Sequence, residues 1–69
     1  MKLEGLVIAG SYDRFLNWCQ ENGKDRREYK YVNNAYDVAG YWNIPVHLAD
    51  GHLETTAYKA AIEYGLLKP

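Results

Sequence analysis

Apolar runs alternate with small polar turns three times along this 69-residue chain. The runs cover residues 6–9, 29–32 and 44–49, and the turns that follow them are Gly10-Ser11, Asn33-Asn34 and Asp50-Gly51-His52. A helix-like segment comes after each turn. A repeated strand–turn–helix pattern predicts parallel strands, because each helix returns the chain to the edge where the previous strand began. We therefore predict one α/β domain over residues 1–69, built on a small three-stranded, mainly parallel sheet.

Two main helices and one short helical turn complete the predicted β-α-β-α-β-α order. The first helix has one apolar face with i, i+3, i+4, i+7 spacing, made of Tyr12, Phe15, Leu16 and Cys19. Residues 35–39 form a single turn that Asn34 caps, and residues 53–64 form the last helix. Pro45 cannot donate a hydrogen bond inside a sheet, so we place the third strand at the sheet margin. Strand orders 2-1-3 and 3-2-1 both fit this pattern.

Charge and cysteine content narrow the class of protein. The net charge of −1 and the pI near 6.0 argue against general affinity for nucleic acid. Basic and acidic residues alternate in one short segment, whose basic members are Lys24, Arg26, Arg27 and Lys30. We expect this basic cluster to be a solvated surface. Contact with phosphate or with an acidic partner is the alternative. The single cysteine, Cys19, excludes an intramolecular disulfide and is expected to be a buried apolar group. With no signal peptide or long apolar run, we expect a cytoplasmic protein without a membrane span.

The polar turns supply the candidate ligand site. Because the carboxyl ends of parallel strands share one edge, a crevice for phosphate or a nucleotide is predicted from Gly10, Ser11, Asn34, Asp50 and His52. The helix start after Gly10 offers free N–H groups to an anion. The chain has no GxGxxG motif and no P-loop lysine, and Asp13 would repel an anion. Ordinary turns and helix caps are the simpler interpretation, so no cofactor is predicted.

The same turns contain side chains that are candidates for catalysis and for metal binding. His52 could act as a general acid or base with Asp50 to orient it, but only Ser11 offers a nucleophile. His47 and Glu54 would complete a metal-binding group with these two, yet the spacing matches no zinc pattern. We therefore predict neither catalytic nor metal-binding residues.

Aromatic residues are numerous for this length: seven tyrosines, two tryptophans and one phenylalanine. A small domain cannot bury all of them, and surplus tryptophan and tyrosine are the usual anchors of protein interfaces. The predicted interface residues are Trp18, Tyr36, Tyr41 and Trp42.

Two stretches of the sequence resemble segments of known protein families. Residues 6–11, Leu-Val-Ile-Ala-Gly-Ser, are similar to the first strand and loop of small Rossmann-like proteins. Residues 37–48, in which a helical turn ends at Gly40 and leads into a late strand, resemble short phage-encoded α/β proteins. The resemblance implies a compact Rossmann-like fold and a viral origin, hence a host cytoplasm, and it favours binding to a host protein.

Three functions follow as hypotheses. The first is a non-enzymatic protein–protein interaction module that binds a partner, or a second copy of itself, through aromatic residues. The alternative is a small nucleotide- or phosphate-binding domain that uses the polar turns. The third hypothesis is nucleic-acid binding, in which the basic cluster would hold phosphates and Tyr29 and Tyr31 would stack on bases. The net charge of the chain disfavours this hypothesis.

Overall fold

The computed structural model describes residues 3–41 and 43–67. Its strands are β1 (Gly5–Ile8), β2 (Tyr29–Val32) and β3 (Val46–Leu48). Its helices are α1 (Tyr12–Glu21), α2 (Ala35–Val38) and α3 (Thr56–Glu63), with short 3₁₀ turns at Arg26–Glu28 and His52–Glu54. The predicted α/β class and element order are therefore confirmed. No helix in the described ranges has the length and apolar character that a membrane crossing requires.

The sheet has the order β2-β1-β3, and both pairings are parallel. Val7 of β1 lies opposite Tyr31 on one side and His47 on the other. Of the two strand orders that fitted the sequence pattern, 2-1-3 is the one observed. The third strand lies at the margin, as the proline before it predicted, and that proline's carbonyl accepts the Leu6 N–H at 2.9 Å.

The central strand β1 is buried on both faces, and it divides the core into two clusters. On one face Leu6 and Ile8 pack with Val32, Val38 and three alanines of α3, namely Ala57, Ala60 and Ala61. On the other face Val7 and Ala9 pack with Phe15, Cys19 and Ala49. This alternation follows from the twofold periodicity of strand side chains. The first cluster lies under α2 and α3, and the second lies under α1.

Helix caps set the positions at which the helices begin. The Ser11 hydroxyl oxygen accepts the Arg14 N–H at 3.3 Å and begins α1, as predicted. The last helix begins at Thr56, so the prediction of a start at residue 53 was wrong. The Thr55 hydroxyl oxygen accepts the Tyr58 N–H at 3.2 Å and caps α3. The segment before it closes a separate 3₁₀ turn, which Gly51 enters with a φ of 83°.

Candidate binding surface

Two of the three polar turns are in direct backbone contact at the carboxyl edge of the sheet. The Gly10 N–H donates to the Asp50 carbonyl at 3.0 Å. A Cβ atom on Gly51 would lie only 3.0 Å from the Gly10 Cα. The parallel strands therefore bring Gly10, Ser11, Asp50 and Gly51 to one edge, as the sequence pattern predicted.

Most polar groups of the predicted crevice already hold the local backbone. The Ser11 hydroxyl caps α1, and the Asn34 side-chain oxygen accepts the Asp37 N–H at 3.1 Å to cap α2. The His52 Nδ1 lies 2.9 Å from the Ala49 carbonyl, so this nitrogen donates and carries the proton. These bonds give the loops a fixed shape and leave the side chains with structural partners.

Among residues 3–41 and 43–67, Arg14 is the cation that borders this contact, and it was not among the predicted site residues. Its Nε lies 3.6 Å from Asp50 Oδ2, and Cβ positions built on Gly10 and Gly51 both meet its guanidinium. The signal was available: Arg14 stands three residues after the helix cap, in the first turn of a helix that begins at this edge. It is the described side chain best placed to meet an anion there.

Two depressions share Trp18 and Asp50 in their linings; the first lies along α1, and the second lies at the end of β3 and along the segment after it. The first, of about 390 Å³, is otherwise lined by polar residues of α1, including Arg14 and Glu21. The second, of about 470 Å³, continues along residues 48–54. Within it, Leu48 is 39% exposed and Leu53 is 70% exposed. We call Trp18, Leu48 and Leu53, with the carboxylates of Asp50 and Glu54 beside them, the Trp18 surface.

The Trp18 ring is held in place by two aromatic neighbours. Its centroid is 5.0 Å from that of His47 and 5.4 Å from that of Tyr29, and these two rings also contact each other at 5.7 Å. Edge-to-face and tilted contacts of this kind stabilise a ring beyond its burial alone. Trp18 is therefore a half-buried, preorganised group rather than a freely rotating one.

The predicted aromatic interface is divided by the sheet. Trp18 packs with the cluster under α1, whereas Tyr41 packs with the cluster on the opposite face, where Lys30 Nζ lies 5.4 Å from its ring centroid. Tyr36 is 91% exposed on α2. Trp42 lies outside the described residues. The described members of this set therefore do not form one patch, and the predicted interface did not include Leu48 of β3 or Leu53 of the 3₁₀ turn.

Part of the basic cluster is neutralised within its own turn. Arg27 Nη2 lies 3.1 Å from Asp25 Oδ2, and the Arg27 backbone N–H donates to the same carboxylate at 2.9 Å. Hydrogen bonds from the Arg27 side chain and backbone lower the pKa of Asp25 below its ordinary value. On α1, burial raises the pKa of the Cys19 thiol, and the charge of Asp25 adds to this effect. The buried position of Cys19 agrees with its predicted role as an apolar group.

Within residues 3–41 and 43–67, no group of three or more His, Cys, Asp or Glu side chains is arranged to hold a metal ion. Comparison with family models, curated proteins and solved structures found no match. The resemblance to short phage-encoded proteins therefore stays a prediction.

Proposed function

We propose that this protein is a non-enzymatic interaction module that binds a protein partner through the Trp18 surface. The observation that carries the proposal is a pair of exposed leucines, Leu48 and Leu53, beside a tryptophan held by two aromatic contacts. Burying an exposed leucine side chain stabilises a complex by about 1.5–3 kcal/mol. A rigid tryptophan contributes contact area at small entropic cost.

The surroundings of the Trp18 surface support this proposal. Its loops are fixed by the Gly10–Asp50 backbone bond and by the His52 contact with the Ala49 carbonyl. A surface whose shape exists before binding loses less conformational entropy when the partner docks. The carboxylates of Asp50 and Glu54 supply a polar rim around the apolar centre, which is the usual anatomy of a protein interface.

Leu53→Gln tests the proposal, and Tyr64→Gln is the matched control. Both residues are exposed, but Leu53 precedes the first turn of α3 and Tyr64 follows its last turn. We expect wild type and Tyr64→Gln to capture the same partner from a lysate of cells that express the protein, and Leu53→Gln to capture at least about tenfold less. Sedimentation velocity on the purified protein distinguishes a second copy from a different partner. Equal capture by all three proteins, with no self-association, would contradict the proposal.

Phosphate or nucleotide binding at the carboxyl edge is the second candidate, and the observation that favours it is the Arg14 guanidinium at the Gly10–Gly51 contact. This candidate ranks below the first because the nearby Asp50 carboxylate would repel an anion and because the Ser11 hydroxyl already caps α1. A thermal-shift series with pyrophosphate and nucleotides tests it, with Arg14→Gln as the control. Ligand at a hundred times its Kd adds about 2.7 kcal/mol to the free energy of unfolding. Absence of any shift, or equal shifts in the two proteins, would remove this candidate.

A further inference from the structure

The outer edge of β3 presents backbone groups for pairing. Leu6 N–H donates to the Pro45 carbonyl, and Ala49 N–H donates to the Ile8 carbonyl. Hydrogen bonds in a parallel ladder use alternate residues of a strand, so the N–H and C=O groups of Val46 and Leu48 point away from β1. In the described part of the chain, no further strand lies beyond β3. Such an edge is a ready template for one more extended chain.

The 470 Å³ depression lies at the same edge. Val46 packs on the face of the sheet covered by α2 and α3, and strand alternation puts Leu48 on that face too. Trp18 packs on the opposite face, yet both it and Leu48 line the depression. The depression therefore extends around the end of the open edge. A chain paired with β3 would direct one side chain toward Trp18 and Leu53.

The charge around the edge favours a cationic occupant. Carboxylates of Glu21, Asp50 and Glu54 line the two depressions, and of the described lysine and arginine residues only Arg14 lines them. That guanidinium is paired with Asp50. A twofold interface uses the same patch on both partners. Such a contact between two copies of this chain would therefore place these carboxylates opposite each other. A basic chain would instead neutralise the carboxylates.

We propose that the Trp18 surface takes an extended cationic peptide segment of its partner, which pairs with β3 as a fourth strand and buries one apolar side chain between Trp18 and Leu53. This inference rests on the proposed function and specifies its mode of recognition. Main-chain bonds to Val46 and Leu48 supply affinity, and the depression and the carboxylates supply selectivity. Glu54 is the charge selector because, unlike Asp50, it has no ion-pair partner among the described residues.

The test uses the full chain and two capped heptapeptides, one that alternates lysine with valine and one that alternates glutamate with valine. We expect the lysine peptide to bind about tenfold more tightly at low salt. Binding is expected to slow hydrogen exchange of the Val46 and Leu48 amides at least about tenfold, as measured by NMR. Methylation of alternate peptide nitrogens is expected to abolish binding, and Glu54→Lys to shift preference toward the glutamate peptide.

Four results would overturn the inference: no binding, equal binding of both peptides, binding that leaves the Val46 and Leu48 amides unprotected, or protection that rises with protein concentration alone. The last would assign the edge to a second copy of this chain. The lysate capture experiment distinguishes failure of this inference from failure of the proposed function. If capture depends on Leu53 while the peptides fail, only the strand-addition inference is lost.

Discussion

Substitution of Gly51 by alanine is expected to destabilise the fold more than the same change at another left-handed glycine. Gly51 has a φ of 83° and Gly23 a φ of 64°, so an alanine at either position adopts a conformation that costs about 1–2 kcal/mol. The smaller entropy of the unfolded chain offsets about 0.4–1 kcal/mol of this cost. Gly23 is the matched control, because no described atom lies within 4 Å of its Cβ position.

The two positions differ in what the new methyl group would meet. At Gly51 it would lie 3.0 Å from the Gly10 Cα and 3.1 Å from the Gly10 N, in addition to the Arg14 guanidinium. The guanidinium can move aside, but the Gly10 backbone is held by its bond to Asp50. Overpacking of this kind costs about 1–3 kcal/mol. We therefore expect Gly51→Ala to be about 1–3 kcal/mol less stable than Gly23→Ala.

Urea denaturation followed by circular dichroism measures this difference. A small domain has an m value of about 1 kcal/mol/M, so the midpoint of Gly51→Ala should lie about 1–3 M below that of Gly23→Ala. If Gly51→Ala is too unstable to measure, Gly10→Ala reports on the same contact, since its Cβ would lie 3.1 Å from the Gly51 Cα. A Gly51→Ala midpoint equal to that of Gly23→Ala, or a Gly10→Ala midpoint equal to that of wild type, would refute the close approach of the two turns.

Three further predictions concern single side chains. The lowered pKa of Asp25 means that its contribution to stability is present above the ordinary pKa of 3.8 and is lost as the pH falls through the lower folded value. NMR titration of the carboxyl carbon should show that Arg27→Gln raises this pKa, and an unchanged titration would contradict the assignment. Burial of Cys19 and its raised pKa predict slow reaction with a thiol reagent in the native protein and fast reaction in urea, whereas equal rates would contradict its burial. Thr55→Ala removes the cap of α3 and should lower the free energy of unfolding by about 1 kcal/mol in urea titration; no change would show that the cap is dispensable.

The strands were predictable because their signals are local. The apolar run at residues 6–9 is continuous, which is typical of a central strand covered on both faces, and Leu6 through Ala9 are fully buried. Pro45 marked the margin of the sheet for a stereochemical reason. The order of the strands was left open because it depends on long-range packing of helices against both faces, which periodicity does not encode.

The candidate surface was less predictable. Aromatic content alone grouped Trp18 with Tyr36 and Tyr41, but the faces on which helices pack decide which rings meet, and the sheet separates them. The predicted helix began at Leu53, directly after the polar turn at residues 50–52, but residues 52–54 form a separate 3₁₀ turn and the Thr55 cap begins α3 after it. That turn leaves Leu53 exposed, and so the residue on which the proposed function most depends is one that was predicted to lie in a helix.

Leucine methyl NMR of the protein mixed with its captured partner measures the binding face most directly. We predict that the methyl signals of Leu48 and Leu53 shift on binding, while those of buried Leu6 and of Leu66, which packs with the cluster under α3, stay unchanged. Shifts confined to leucines away from β3 and the His52–Glu54 turn would show that the partner binds elsewhere and would contradict the assignment of the Trp18 surface.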